Sequence, residues 1–308
     1  MQFFSKLKQM KRPVWGTENM QGVLVDLTKC MGCGGCTVAC KMYNDTQWIE
    51  HRAPTDGPNA RLADENWSVV RHCKVPDNRA RSGEVWRFVK EQCLHCVDPA
   101  CEAACLSKAF VKLPEGPVQH FPSLCIGCRY CMIGCPFNIP KFQWDVPFPI
   151  LTKCHMCNPR VQNGEAPACV VVCPTNVMKY GRIEDLLAEA KQTIADNPSK
   201  YVQEIYGEEE AGGTCWIYIS DKPFHQLGFR TQVPKRSMPN YISPFMMMSL
   251  MFAPIWFMIL CGLYFITGRR SKVQAEANAN AQPEQQQVEQ PPGQEQGKPP
   301  EQQSGQQH

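Results

Sequence analysis

Cys125-Ile-Gly-Cys-Arg-Tyr-Cys-Met-Ile-Gly-Cys-Pro136 places four thiols in one short run with the spacing Cys-x2-Cys-x2-Cys-x3-Cys. Three thiolates on so short a loop can wrap three corners of a four-iron four-sulfur cube, and the fourth then points toward a neighbouring cube. The same spacing occurs at Cys30, Cys33, Cys36 and Cys40. Two looser groups complete the pattern, Cys93, Cys96, Cys101 and Cys105, then Cys154, Cys157, Cys169 and Cys173. Of the 19 cysteines only Cys73, Cys215 and Cys261 stand outside these groups. Four groups predict four 4Fe-4S clusters.

Disulfides and zinc are the competing uses of such cysteines. A disulfide framework belongs to short secreted chains, whereas this one has 308 residues and no apolar signal core is read in its first residues. Zinc sites use two separated Cys-x2-Cys pairs, and the triplets at Cys30 and Cys125 carry a thiolate too many for that plan. A zinc-binding interaction protein stays as the alternative of a different class. Composition is unremarkable, with 43% hydrophobic residues, formal charge +3 and mean hydropathy −0.35. That charge is too small to predict a nucleic-acid partner.

Outward from the cysteines, the reading is α+β. Gly22 to Asp26 is expected to be a strand running into the first group, and Phe110 to Phe121 a hairpin bent at Pro114-Glu-Gly-Pro117. Residues 93–135 then form one complete two-cluster, bacterial-ferredoxin-like inner unit. Residues 22–40 and 154–180 flank it and form a second, outer unit, so the repeat is nested. Residues 41–92 are an insertion whose Trp48, Trp67 and Trp86 predict that it folds over the cluster core. Within it His72 and Cys73 are adjacent, and the preferred reading of Cys73 is a small buried hydrophobe. The extension 181–236 is expected to hold an amphipathic helix over Ile183–Ile194 and a strand over Thr214–Ser220, with Cys215 packed in the core.

Residues 1–21 read as an N-terminal arm without an export signal. Residues 237–268 read as one C-terminal transmembrane helix: uncharged after Arg236 up to Gly268, long enough for the ~30 Å hydrocarbon core, and followed by Arg269-Arg270. Pro244 and Pro254 would free backbone carbonyls, which is tolerated beside a membrane partner. Residues 269–308, rich in glutamine and proline, are expected to be disordered.

The order of the four groups, Gln92-Cys-Leu-His-Cys-Val-Asp-Pro99, Cys125-Ile-Gly-Cys-Arg-Tyr-Cys131, Tyr206-Gly-Glu-Glu-Glu-Ala-Gly-Gly213 and the C-terminal span together resemble a known family. It is the iron-sulfur beta subunit of membrane-bound molybdopterin oxidoreductases, most similar to the respiratory formate dehydrogenase type, with the hydrogenase-2 ferredoxin type close behind. Lys41 and Leu106 stand where the family has proline after Cys40 and Cys105; neither position is a ligand. The resemblance implies crossed ligand sets. Cys30, Cys33 and Cys36 share a cluster with Cys173, and Cys154, Cys157 and Cys169 share one with Cys40. Cys93, Cys96 and Cys101 pair with Cys135, and Cys125, Cys128 and Cys131 with Cys105. It further implies electron transfer without a catalytic site on this chain, between a catalytic oxidoreductase subunit and an integral membrane quinone-reactive subunit, cytochrome b-like or haem-free. Arg129 and Lys153, adjacent to ligands, are the residues expected to tune potentials. The implied place is a prokaryotic cell membrane with lipid around the span and the head periplasmic by co-export; a cytoplasmic head is the alternative. A ferredoxin subunit of a membrane-bound hydrogenase, and a free-standing membrane ferredoxin, are the other readings of the same motifs.

Overall fold

The computed structural model describes residues 20–48, 54–78, 80–235 and 237–281. The described strands are β1 (Gln21–Asp26), β2 (Asp56–Gly57), β3 (Ser68–Pro76), β4 (Glu84–Gln92), β5 (Phe110–Lys112), β6 (Val118–His120), β7 (Lys141–Phe142), β8 (Leu151–Thr152), β9 (Met178–Arg182) and β10 (Trp216–Ile219). The helices are α1 (Gly35–Asn44), α2 (Ala100–Ala103), α3 (Tyr130–Gly134), α4 (Asn158–Gln162), α5 (Ala168–Val171), α6 (Ile183–Asp196) and α7 (Met238–Ala281).

β1 is a buried strand because Val23, Leu24 and Val25 are apolar or branched side chains with a sheet neighbour on each edge. It runs antiparallel to β9, with Val23 opposite Tyr180, and parallel to β10, with Leu24 opposite Ile217. The sheet therefore joins the start of the chain to segments that follow the fourth cysteine group. The helix expected from the periodicity at Ile183 is α6; Ile183, Leu186, Ala190 and Ile194 are its buried residues, and they pack in the core beneath this sheet. β5 and β6 form the expected hairpin, with Phe110 opposite His120.

The insertion holds more order than its sequence suggests. β3 and β4 pair antiparallel along nine residues each, from Ser68 opposite Gln92 to Pro76 opposite Glu84. Their ends at Ser68 and Gln92 are buried and the turn end is exposed. His72 bonds Asp56 at 2.8 Å, while the half-buried Cys73 thiol lies 3.6 Å from the Leu227 carbonyl. The two adjacent side chains are therefore committed to different partners. Cys215 is fully buried, as expected of a core residue.

The chain divides into two compact units, residues 1–244 and 245–308. In the second, α7 carries exposed Phe252, Trp256, Phe257, Leu260, Leu263 and Phe265. A helix apolar all round and exposed is suited to lipid. The stretch Phe252–Asn278 is long and apolar enough to cross a membrane, and this helix fits a membrane anchor. The disorder expected over residues 269–308 is corrected for residues 269–281, which continue α7. Lys272-Val-Gln-Ala-Glu-Ala is made mostly of good helix formers, so the helix propagates past Arg270 at little cost. Residues 1–19 of the expected arm and 282–308 of the expected tail lie outside the described residues.

Candidate iron-sulfur centre

The four cysteine groups fold as one repeated device. The residue before the second cysteine of each group, Gly32, His95, Gly127 or Met156, has a positive φ of 70°, 51°, 69° or 58°. A left-handed residue there turns the loop sharply. At Gly32 only glycine fits, because a Cβ would lie 2.5 Å from the Phe88 ring. Lys108, Asn138 and Asn176, three residues after Cys105, Cys135 and Cys173, repeat a second left-handed turn with φ of 56°, 53° and 49°.

Short helices then carry the third cysteine of each group. α1 presents Cys36 and Cys40, four residues apart and so on one face, and it packs against α5, which carries Cys169. α2 with Cys101 packs in the same way against α3 with Cys131. The first group thus meets the fourth, and the second meets the third.

All nineteen cysteines are free thiols, and the way they act on one another reports which are neighbours. Burial pushes the Cys40 thiol up to about 12, with Cys169 and Cys157 adding to it. Cys131 is pushed up to about 12 by burial, then by Cys105, Cys125 and Cys128. Burial raises Cys96 well above the usual thiol range, with Cys135, Cys93 and Cys101 as its thiol neighbours. Cys30 is raised by burial and by Cys173 and Cys33. Buried thiols in this state are protonated, so metal binding must release protons and offset, with the metal's positive charge, the repulsion among the thiolates it creates. Several sulfurs already have donors: Ala109 N–H lies 3.2 Å from Cys105 Sγ, Met156 N–H 3.3 Å from Cys154 Sγ, and Asn44 Nδ2 3.5 Å from Cys40 Sγ. Such hydrogen bonds favour the anionic sulfur of a metal thiolate.

Among the described residues, no group of three or more His, Cys, Asp or Glu side chains converges tightly enough to hold a single metal ion. Tetrahedral zinc would ask for four donors at about 2.0–2.3 Å from one point. The donor set is instead pure thiolate and arranged in groups, which suits clusters.

The residues expected to tune the site divide. Arg129 is exposed, with its guanidinium 5.0 Å from the Trp144 ring and 5.4 Å from Phe142. Lys153 is buried and donates to the Val118 carbonyl and, at 2.9 Å, to that of Cys154. Two other lysines escaped the sequence reading because nothing in a linear pattern marks a lysine as buried. Lys112 donates to the carbonyls of His95, at 2.9 Å, and Gly116, and lies 3.2 Å from Cys215 Sγ. Lys90, on β4, donates to Ser68 Oγ and Gln92 Oε1, each at 2.8 Å. Burial disfavours its charge, whereas thiolates at Cys169, Cys36, Cys154 and Cys40 favour it, and the net direction is upward.

Residues 84–183 match the family model of the 4Fe-4S dicluster domain. The chain is 39% identical to a protein of Nitratidesulfovibrio vulgaris over 86% of its own length and 72% of the relative's. It is 32% identical to the hydrogenase-2 operon protein HybA of Escherichia coli O157:H7, over 67% of this chain and 71% of that protein. It is 34% identical to the nitrate-inducible formate dehydrogenase iron-sulfur subunit of Escherichia coli K12, over 66% and 71%. With thiolate groups, the dicluster match and relatives of that length agreeing, the chain belongs to the family of iron-sulfur electron-transfer subunits that includes those of formate dehydrogenase and hydrogenase-2.

Proposed function

We infer that the chain is a four-cluster electron relay with crossed ligand sets. Cys30, Cys33, Cys36 and Cys173 hold one 4Fe-4S cluster, and Cys40, Cys154, Cys157 and Cys169 the next. Cys93, Cys96, Cys101 and Cys135 hold a third, and Cys105, Cys125, Cys128 and Cys131 the fourth. The observation that carries this is the neighbourhood of the fourth cysteines: Cys40 is felt by Cys154, Cys135 by Cys96 and Cys101, Cys105 by Cys131, and Cys173 by Cys30. Cys40 and Cys135 each interact with all three cysteines of the opposite group, and Cys105 and Cys173 each with one of them, which supports the crossed sets. Crossing sets the two cubes of a unit side by side, and when bound they supply reversible one-electron chemistry. The chain's own part is to hold them, direct N–H groups at their sulfurs and exclude water.

Residues 93–135 serve as the inner two-cluster unit and residues 22–40 with 154–180 as the outer one. α7 serves as the anchor. The partners are a catalytic oxidoreductase subunit of the formate dehydrogenase class, no catalytic residue being assigned to this chain, and a quinone-reactive membrane subunit. The head lies on the periplasmic side; protease added to intact spheroplasts would digest it there and spare a cytoplasmic one. Anaerobic purification in mild detergent tests the rest. It should yield a brown protein with about sixteen iron and sixteen sulfide per chain, co-eluting with a catalytic subunit and a membrane subunit. A colourless zinc protein would overturn the clusters, and a brown protein eluting alone would overturn the partners.

A further inference from the structure

Lys90 and Trp216 border one enclosed cavity, whose wall also includes Cys40, Cys154, Cys157 and Cys169. Lys90 is 2% exposed and Trp216 fully buried. The ammonium lies 4.9 Å from the centre of the Trp216 ring, and its hydrogen bonds go to the neutral oxygens of Ser68 and Gln92. No carboxylate pairs with it among the described residues. The indole Nε1 of Trp216 is buried and has no hydrogen-bond partner. A buried cation without a counter-anion and a buried N–H without an acceptor are both costly. They share a wall with four thiols, and one anion placed there would answer both. A cube with four thiolates carries net negative charge, and one added electron makes it more negative still.

We propose that Lys90 and the indole N–H of Trp216 together stabilise the reduced form of the cluster held by Cys40, Cys154, Cys157 and Cys169, and so raise its potential. The proposal rests on the reading that these four cysteines share a cluster. Its physical basis is that a fixed cation in a water-excluded site favours the oxidation state with the extra electron, and a hydrogen bond to sulfur acts in the same direction. The lysine stays charged in both oxidation states and the electron comes from the neighbouring cluster, so no proton needs to move. Lys112 and Lys153 differ in donating to main-chain carbonyls and in not lining this cavity.

The test is a potentiometric titration followed by electron paramagnetic resonance on the full-length protein in detergent, with the relevant signal first assigned as the one altered by Cys157→Ser. Lys90→Met should make that cluster at least tenfold harder to reduce, a fall of 59 mV or more for one electron. Lys90→Arg should restore most of the difference, and Trp216→Phe should lower the potential by a smaller amount. An unmoved signal in Lys90→Met with iron content at the wild-type level overturns the proposal and leaves the four-cluster reading intact. If Lys90→Met fails to load the cluster, Trp216→Phe decides: a lowered potential supports the proposal, an unchanged one overturns it. A wild-type protein without iron-sulfur signals would instead remove the reading beneath it.

Discussion

The inner stretch from Cys93 to Cys135 and the outer segments around it solve the same packing problem with different material. The outer segments carry most of a core of 28 buried residues, centred on β1, β9, β10 and α6 and including Trp216, Tyr218, Phe224 and Leu227, to which the inner stretch adds Leu94 and Val97. The smaller core has six residues, Cys101, Phe110, Val118 and Cys131 from the inner stretch and Phe142 and Leu151 from beyond it, and two of the six are cysteines. One region surrounds its cysteines with a large hydrophobic core, which we expect to stand without metal. In the other the cysteines are themselves a large part of the core, so metal binding and folding are coupled there. Connectivity adds to the contrast, since β5 and β6 are joined by a five-residue loop whereas β1 meets β10 after nearly two hundred residues of chain.

The largest expected effect comes from removing iron. Anaerobic chelation of the full-length protein should reduce amide-exchange protection in β5 and β6 to near that of unfolded chain, roughly a hundredfold loss or more, because so small a hydrophobic core cannot order the stretch alone. β1, β9 and β10 should keep most of their protection. Simultaneous loss in both regions would show that the cubes, and not the hydrophobic core, hold the outer sheet.

The opposite perturbation is Ile217→Ala. Ile217 is fully buried and paired across to Leu24, so truncation should cost about 2–5 kcal/mol through lost burial and a cavity. Exchange protection of β1 and β9 in the iron-loaded protein should fall roughly tenfold for each 1.4 kcal/mol, while β5 and β6 change little. An equal fall in all four strands would make the two regions one cooperative body.

The contrast also explains what sequence could reveal. Cysteine spacing, the Pro114–Pro117 bend and the 3.6-residue period from Ile183 are local signals, and they located the thiol groups, the hairpin and α6. The β3–β4 pair escaped because its burial runs along its length, from buried Ser68, Val69 and Val70 to exposed Pro76 and Glu84, so the period-two alternation that marks a half-buried hairpin is absent. The central place of β1 escaped because no short-range rule pairs Val23 with Trp216. Lys90 escaped because its burial depends on Ser68 and Gln92, which meet only when β3 and β4 pair. What was missed is thus mostly non-local, and it is concentrated in the better-packed region.

The smallest effect concerns pH and the thin inner core. His120 on β6 packs on Phe110 with ring centres 4.6 Å apart. Burial, with Lys153 opposing a second positive charge, lowers its pKa to about 4 from the ordinary 6.5. Between those values the unfolded state binds more protons than the folded one, so the stability due to neutral His120 is complete above pH 6.5 and is lost as pH falls toward 4. His120 is only partly enclosed, so the loss between pH 7 and 5 should be about 1 kcal/mol once solvent screening is allowed for. His120→Leu keeps an apolar side chain against Phe110 and cannot titrate. Exchange protection of β5 and β6, corrected for intrinsic rates, should then vary less between pH 7 and 5 in the variant than in the wild type, with β1 and β9 behaving alike in both. If variant and wild type kept the same pH dependence in β5 and β6, the histidine would not be what makes the smaller core acid-sensitive, and protonation of the thiolates themselves would take its place.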